Sequence, residues 1–157
     1  MKIVLLTVGK TSQKNIKEEI ILYSKRLSHY TDFKLEAIPS LKSSTKFNQS
    51  ELKKSEGKLI IKYLNSSDYV ILLDENGKSY SSINFSKKIE KFMLNSFKRV
   101  VFVIGGAFGF SDELYSRCNE KVSLSNMTFS HQMVRLFFVE QLYRAFTIIN
   151  NEKYHHQ

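Results

Sequence analysis

The chain has 157 residues, 42% of them hydrophobic, and a formal net charge of +9 at pH 7. That length suits one domain, residues 1–157, built on a single core, and the composition is too apolar for a disordered chain. The excess of basic residues favours a polyanionic partner, nucleic acid above all, over a merely well-solvated surface. No apolar run reaches the roughly 18 residues of a membrane span, since Glu140 and Arg144 interrupt the longest candidate. A lone cysteine, Cys118, excludes an internal disulfide and has no Cys or His at metal-ligand spacing. A soluble protein of the reducing cytoplasm, without a metal or a membrane partner, is expected.

Ile3–Val8 is an apolar block of strand length, too short for the hydrophobic region of a secretory signal. Ile16, Ile20, Tyr23, Leu27 and Tyr30 then recur at spacings of four and three, which predicts an amphipathic helix. Phe33, Leu35 and Ala37 alternate with charged residues before Pro39, as in a strand near a sheet edge. Residues 40–49, rich in Ser, Lys and Thr, read as the longest loop. Asn48 followed by Glu51 is a capping-box signature for a helix whose apolar stripe is Leu52, Leu59, Ile60 and Tyr63, with Lys53, Lys54, Lys58 and Lys62 outside.

Tyr69–Leu73 predicts a buried strand that ends at Asp74-Glu75-Asn76-Gly77, where Asn-Gly signals a tight turn. Ile83, Ile89, Phe92, Met93 and Phe97 describe the next helix. Val100–Ile104, β-branched and aromatic, predicts a strand running straight into Gly105-Gly106-Ala107-Phe108-Gly109. Ser111-Asp112-Glu113 opens a short helix, 121–124 make a last short strand, and Ser130 caps a long helix from about His131 to Asn150. Strands alternating with helices give an α/β fold: a mostly parallel sheet with helices on both faces. The last helix is apolar nearly all round, so it needs cover on more than one side, and a second copy of the chain, a homodimer, is the simplest source.

Ligands in such sheets bind beyond the carboxyl ends of the strands, which directs attention to the loops after Leu73, Ile104 and Leu124. Gly105-Gly106 lets backbone approach a ligand closely, although an ordinary strand-to-helix turn uses glycine in the same way. The segment is neither a G-x-G-x-x-G dinucleotide fingerprint nor a P-loop. Leu124-Ser125-Asn126-Met127-Thr128-Phe129 offers backbone groups, hydroxyls and apolar side chains suited to an adenine edge and a thioether, as well as to a plain connection. His131 is a candidate base or RNA contact, or a structural histidine disfavoured as a cation at a helix N-terminus. One turn on, Arg135 can place a guanidinium near a phosphate or a carboxylate, or be a solvated or ion-paired arginine. Glu140 and Arg144 are spaced for an i, i+4 pair, and the tail carries Tyr154, His155 and His156, a stacking ring beside donors.

Taken in order, these segments resemble one family. They are the N-terminal 2–10 block KIVLLTVGK, Val101-Phe102-Val103-Ile104-Gly105-Gly106, Met127-Thr128-Phe129, His131-Gln132-Met133, Arg135, Glu140-Gln141, Tyr143-Arg144-Ala145 and Tyr154-His155. Over the whole chain they resemble the RlmH family, SPOUT-class methyltransferases acting on N3 of a pseudouridine in helix 69 of 23S rRNA. The resemblance implies a trefoil-knotted C-terminal half. It also implies S-adenosylmethionine as donor, bound by Leu73, Gly105 and Leu124 through Phe129, and an rRNA substrate in the large subunit or whole ribosome. The family often has proline where this chain has Ser130, and a hydroxyl cap can take that place. Attack by the imide N3 requires help with its proton, for which His131, His155 and the cationic Arg135 are the candidates. A related knotted tRNA methyltransferase and a non-catalytic ribosome-associated RNA-binding module are the alternatives.

Overall fold

A computed structural model of the chain describes residues 1–41, 48–95 and 97–155. The expected loop over 40–49 falls mostly outside the described residues, as do Ser96 and His156. Among the described residues, ten elements follow one another: β1 (Lys2–Val8), α1 (Lys14–Leu27), β2 (Asp32–Ile38), α2 (Gln49–Tyr63), β3 (Tyr69–Ser79), α3 (Ser82–Leu94), β4 (Arg99–Ile104), α4 (Asp112–Arg117), β5 (Glu120–Ser123) and α5 (His131–Ile149). The strands form one sheet in the order β2-β1-β4-β3-β5, with every pairing parallel. This is the expected α/β architecture, and β2 lies at an edge as its alternating pattern predicts.

Period-two alternation divides the interior into two layers. Ile3 and Leu5 of β1, Ile71 of β3 and Val100, Phe102 and Ile104 of β4 point to the face covered by α1, α3 and α5. Val4, Leu6, Val70, Leu72, Val101 and Val103 point to the opposite face, where Ile60 of α2 and Leu114 of α4 cover them. The central strands are therefore apolar on both sides, which is why they read as continuous runs rather than alternations.

The caps follow the sequence closely. Asn48 accepts from the Glu51 amide at 2.9 Å while the Glu51 carboxylate accepts from the Asn48 amide at 3.1 Å, a complete capping box. Ser130 Oγ accepts from the Met133 amide, so the hydroxyl does cap α5 where the family often has proline. At its other end α5 closes on Asn150 and Asn151, the latter at φ 54°. The Asn151 amide donates to Ile148 and the Glu152 amide to Thr147, a Schellman closure that turns the tail back along the helix.

Three expectations about boundaries change. The strand expected to stop at Leu73 resumes: pairing with β5 runs to Leu73↔Val122, is interrupted, and returns at Lys78↔Val122. Asn76-Gly77 is thus part of a bulge inside β3 and not a tight turn before α3. Asp74 Oδ1 accepts from the Asn76 amide at 2.8 Å to shape the bulge, and Gly77 lies so near the β5 backbone that a Cβ would come within 2.6 Å of the Val122 nitrogen. Phe97 is not in α3, which ends at Leu94; its ring packs on Tyr69 at 4.7 Å instead. The final short strand is Glu120–Ser123, one residue earlier than read from the pattern.

Candidate active site

The chain leaves β4 toward the face carrying α2 and α4, whereas β1, β3 and β5 each lead to helices on the other face. Neighbouring connections that part in opposite directions leave a crevice at the carboxyl edge of the sheet. A cleft of about 540 Å³ occupies that position. Its wall comes from all three loops singled out above: Leu73 to Asn76 after the first part of β3, Ile104 to Phe110 after β4, and Ser123 to Phe129 after β5. Leu73, Gly105, Leu124, Ser125, Met127, Thr128 and Phe129 all line it, whereas Asn126 is exposed and not part of the wall.

Each loop is held by a specific contact. Ser123 Oγ donates to the Ser125 carbonyl and Ser125 Oγ accepts from the Met127 amide, so the β5 loop folds on itself. Phe129 packs on Phe137 of α5 at 4.8 Å, fixing the far end of that loop. Tyr115 of α4 donates to Asp74 Oδ2 at 2.6 Å and joins the β4–α4 segment to the β3 bulge. The Tyr115 hydroxyl is pushed up to about 12, by burial first and then by Asp74, which keeps the proton in this bond. Behind Gly105 stands the ring of Phe110, 3.0 Å from where a Cβ would lie. Only a glycine lets the turn run this close to the ring and still open its backbone to the cleft.

The three candidates for proton chemistry do not converge within one chain. His131 is exposed at the rim and lines the cleft, close to the β5 loop. Its imidazole is held below its ordinary value, by desolvation first and by the positive charge of Arg135 second, so it is neutral at physiological pH. Arg135 is only 2% exposed and points away from the cleft. Its Nη2 donates to the Val8 carbonyl at 2.8 Å and its Nη1 to Thr11 Oγ1 at 3.1 Å, tying α5 to the end of β1. Gln132 reinforces this tie by accepting from the Ser12 amide. Neither a ligand contact nor a solvated guanidinium describes it.

His155 lies at the other end of α5, with Nδ1 at 3.5 Å from Arg144 Nη1. Arg144 pairs with Glu140 at 2.5 Å, as the i, i+4 spacing predicts, and stacks over Tyr154. Tyr154 Oη bonds Glu140 at 2.9 Å and meets Tyr23 Oη at 3.2 Å. The tail is thus seated on α1 and α5 as far as His155. From His131 to Arg144 the helix rises about 20 Å, at roughly 1.5 Å per residue.

Several lining residues escaped the sequence reading. Asp74 and Asn76 were assigned to a turn, and Tyr115 and Lys53 gave no signal because their helices face the cleft only through tertiary packing. A second cleft of about 510 Å³ adjoins the first between the starts of α2 and α4; Lys53 and Phe108 line both, and Lys54 lines the second. Among the described residues, no group of three or more His, Cys, Asp or Glu is placed to hold a metal ion, and no helix is long and apolar enough to cross a membrane.

The family described as "Predicted SPOUT methyltransferase" matches residues 1–155. The chain belongs to this family. It is 54% identical to the ribosomal RNA large subunit methyltransferase H of Christiangramia forsetii, over 157 residues and the whole of both chains. The protein of the same name from Flavobacterium johnsoniae is also 54% identical, and that from Parabacteroides distasonis 50%, each again over the full length of both chains. Among solved structures, a probable methylase family protein from Haemophilus influenzae superposes with a TM-score of 0.55 at 14% identity, covering 97% of this chain and 67% of that one, a likeness of fold. This SPOUT methyltransferase is an enzyme for which a methyl donor is implied.

Proposed function

We propose that the chain transfers the methyl group of S-adenosylmethionine to N3 of a pseudouridine in helix 69 of 23S rRNA, acting as a cytoplasmic homodimer on the large subunit or the assembled ribosome. The observation that carries this reading is the meeting of the loops after β3, β4 and β5 around one cleft. The names of the full-length relatives, large subunit rRNA methyltransferases, support the substrate class.

The cleft suits a bent nucleoside sulfonium. Leu73, Ile104, Leu124 and Phe129 offer apolar surface for an adenine ring, and backbone at Gly105, Ser125 and Met127 offers donors and acceptors to its edge. Phe110 behind Gly105 makes the cradle one that a Cβ would fill. A trefoil knot would bring loops separated in sequence together here. S-adenosylmethionine, when bound, supplies a methyl group activated by the positive charge on sulfur. Leu73, Leu124 and Phe129 keep water from that region. At the rim, the imidazole of His131, its pKa lowered by burial and Arg135, would accept the proton that the imide N3 must lose.

The acceptor RNA would cross the second cleft. Lys53 and Lys54 present charge for its phosphates, and Phe108, 39% exposed at the junction of the two clefts, presents a ring on which a base can stack. The tail enters through symmetry. Seated against Glu140 and Arg144, well along α5 from His131, Tyr154 and His155 do not line the cleft of their own chain and would serve the cleft of a partner protomer. The partner covers apolar side chains of α5 that stay half-buried here, Leu136 and Phe137 among them, together with the exposed Ile21 and Leu22 of α1.

Incubation of the purified protein with labelled donor and, in turn, free 23S rRNA, large subunits, ribosomes and tRNA tests the reading. Nucleoside mass spectrometry should find N3-methylpseudouridine in ribosomal RNA alone. Label confined to tRNA would replace it with the tRNA alternative, and donor-independent RNA binding without transfer would leave a binding module.

A further inference from the structure

The least expected side chain near the cleft is Glu56. It stands in the middle of α2, only 6% exposed, on the stripe Leu52, Gly57, Ile60 that faces the protein interior. No cation faces it within ion-pair distance among the described residues, and no hydrogen bond to it is present among them. Burial alone raises its proton affinity. An acidic side chain on the inward stripe of a helix with no partner among the described residues is uncommon, so its place calls for a purpose beyond packing.

Its position supplies one. The carboxylate lies directly behind Gly106: a Cβ on that glycine would fall 2.2 Å from Glu56 Oε2 and 3.1 Å from Oε1. Gly106 in turn lines the cleft. The turn closes on an antiparallel bridge between Gly106 and Gly109, in which the Gly109 amide donates to the Gly106 carbonyl at 3.1 Å. The amides of Ala107 and Phe108 have no acceptor among the described residues. A turn with free donors therefore rests against a buried group that can only accept when ionised. The adjoining Gly57 lets α4 close on α2, since a Cβ there would strike Ser111 Oγ. The carboxylate and the turn are held together from both sides.

We propose that Glu56 is a positioning residue for the methyl-donor site: its carboxylate, which makes no hydrogen bond among the described residues, accepts backbone amides of the 106–108 turn once the donor is bound and holds the turn in the form that receives it. Glu56 touches no reacting atom in this account and acts through Gly106. The inference rests on the donor site proposed above. It also explains why the second glycine of the pair is a glycine: at Gly105 the space is taken by a ring, at Gly106 by a carboxylate.

Calorimetric titration with S-adenosylmethionine, on the full-length unaltered protein and on Glu56→Gln, Glu56→Ala and the double variant Glu56→Ala with Gly106→Ala, tests it. Gln keeps the shape of the side chain but not its charge, and Ala clears the space that a Cβ at Gly106 would need. The expected result is a loss of donor affinity of about tenfold in Glu56→Gln and more in Glu56→Ala, with KM for the donor rising in step, kcat within about twofold and the donor-free melting temperature little changed. The double variant should stay weak although its steric conflict has been removed. Recovery of normal affinity in the double variant, or unchanged affinity in Glu56→Gln, would overturn the proposal and leave Glu56 a packing residue. Hydrogen exchange on the unaltered protein gives a readout that does not depend on any variant folding: donor should protect the Ala107 and Phe108 amides, and no added protection would overturn the proposal as well. Absence of donor binding to the unaltered protein would instead refute the donor site itself.

Discussion

His131 and Arg135 sit one helical turn apart, yet one faces the cleft and the other is sealed beneath it, and they are coupled by charge. Because desolvation and the Arg135 guanidinium both disfavour the imidazolium, His131 should keep its neutral form to lower pH than a free histidine does. The rate of methyl transfer is expected to fall on acidification only below the ordinary histidine value near 6.5, as the imidazole takes up a proton. Arg135→Met removes one of the two influences, so the acid limb of the pH–rate profile should move to higher pH. The same change leaves the Val8 carbonyl without its donor, a cost of about 1–3 kcal/mol that urea denaturation would register. An unmoved acid limb would show that His131 does not carry the proton. The burial of Arg135 was not legible in the sequence, because its partners Val8 and Thr11 lie at the other end of the chain and meet it only through the fold.

Among the elements, those that carry their own signal were readable: β1 and β4 as uninterrupted apolar runs, α2 and α5 from Asn48 and Ser130 at their starts. β3 was not, because Asn76-Gly77 is a turn signal locally and becomes a bulge only when β5 lies alongside. The buried stripe of α2 was partly hidden for a related reason. Glu56 and Gly57 occupy it between Leu52 and Ile60 and break the apolar pattern; the four-residue spacing of Glu56 from both Leu52 and Ile60 is its trace in the sequence. The strand order and the meeting of three distant loops are properties of pairing across the chain and have no local trace. The tail belongs to this scale too. Removing Tyr154–Gln157 is expected to lower methyl transfer by tenfold or more with donor affinity intact. Asn151→Val should do the same in part, since a β-branched residue tolerates the left-handed backbone at the Schellman closure poorly, whereas Asn151→Gly should be benign. Full turnover after the deletion would take the tail out of the site. Mixing a tail-less protomer with one mutated in the cleft should restore activity if the tail serves the partner.

For the whole molecule, the formal net charge of +9 suits the polyanionic substrate proposed above. Affinity for large-subunit RNA should fall steeply between about 50 and 200 mM salt, by a hundredfold or more if several phosphates are engaged, while donor affinity changes little. Flat RNA affinity across that range would remove the electrostatic part of the account. The central claim is that one cleft, closed by the loops after β3, β4 and β5, holds the methyl donor. A crystal structure with S-adenosylmethionine bound tests this most directly: the account predicts its adenine among Leu73, Gly105, Leu124 and Phe129 with the methyl group toward His131, and a donor seated elsewhere, with those loops untouched, would contradict it.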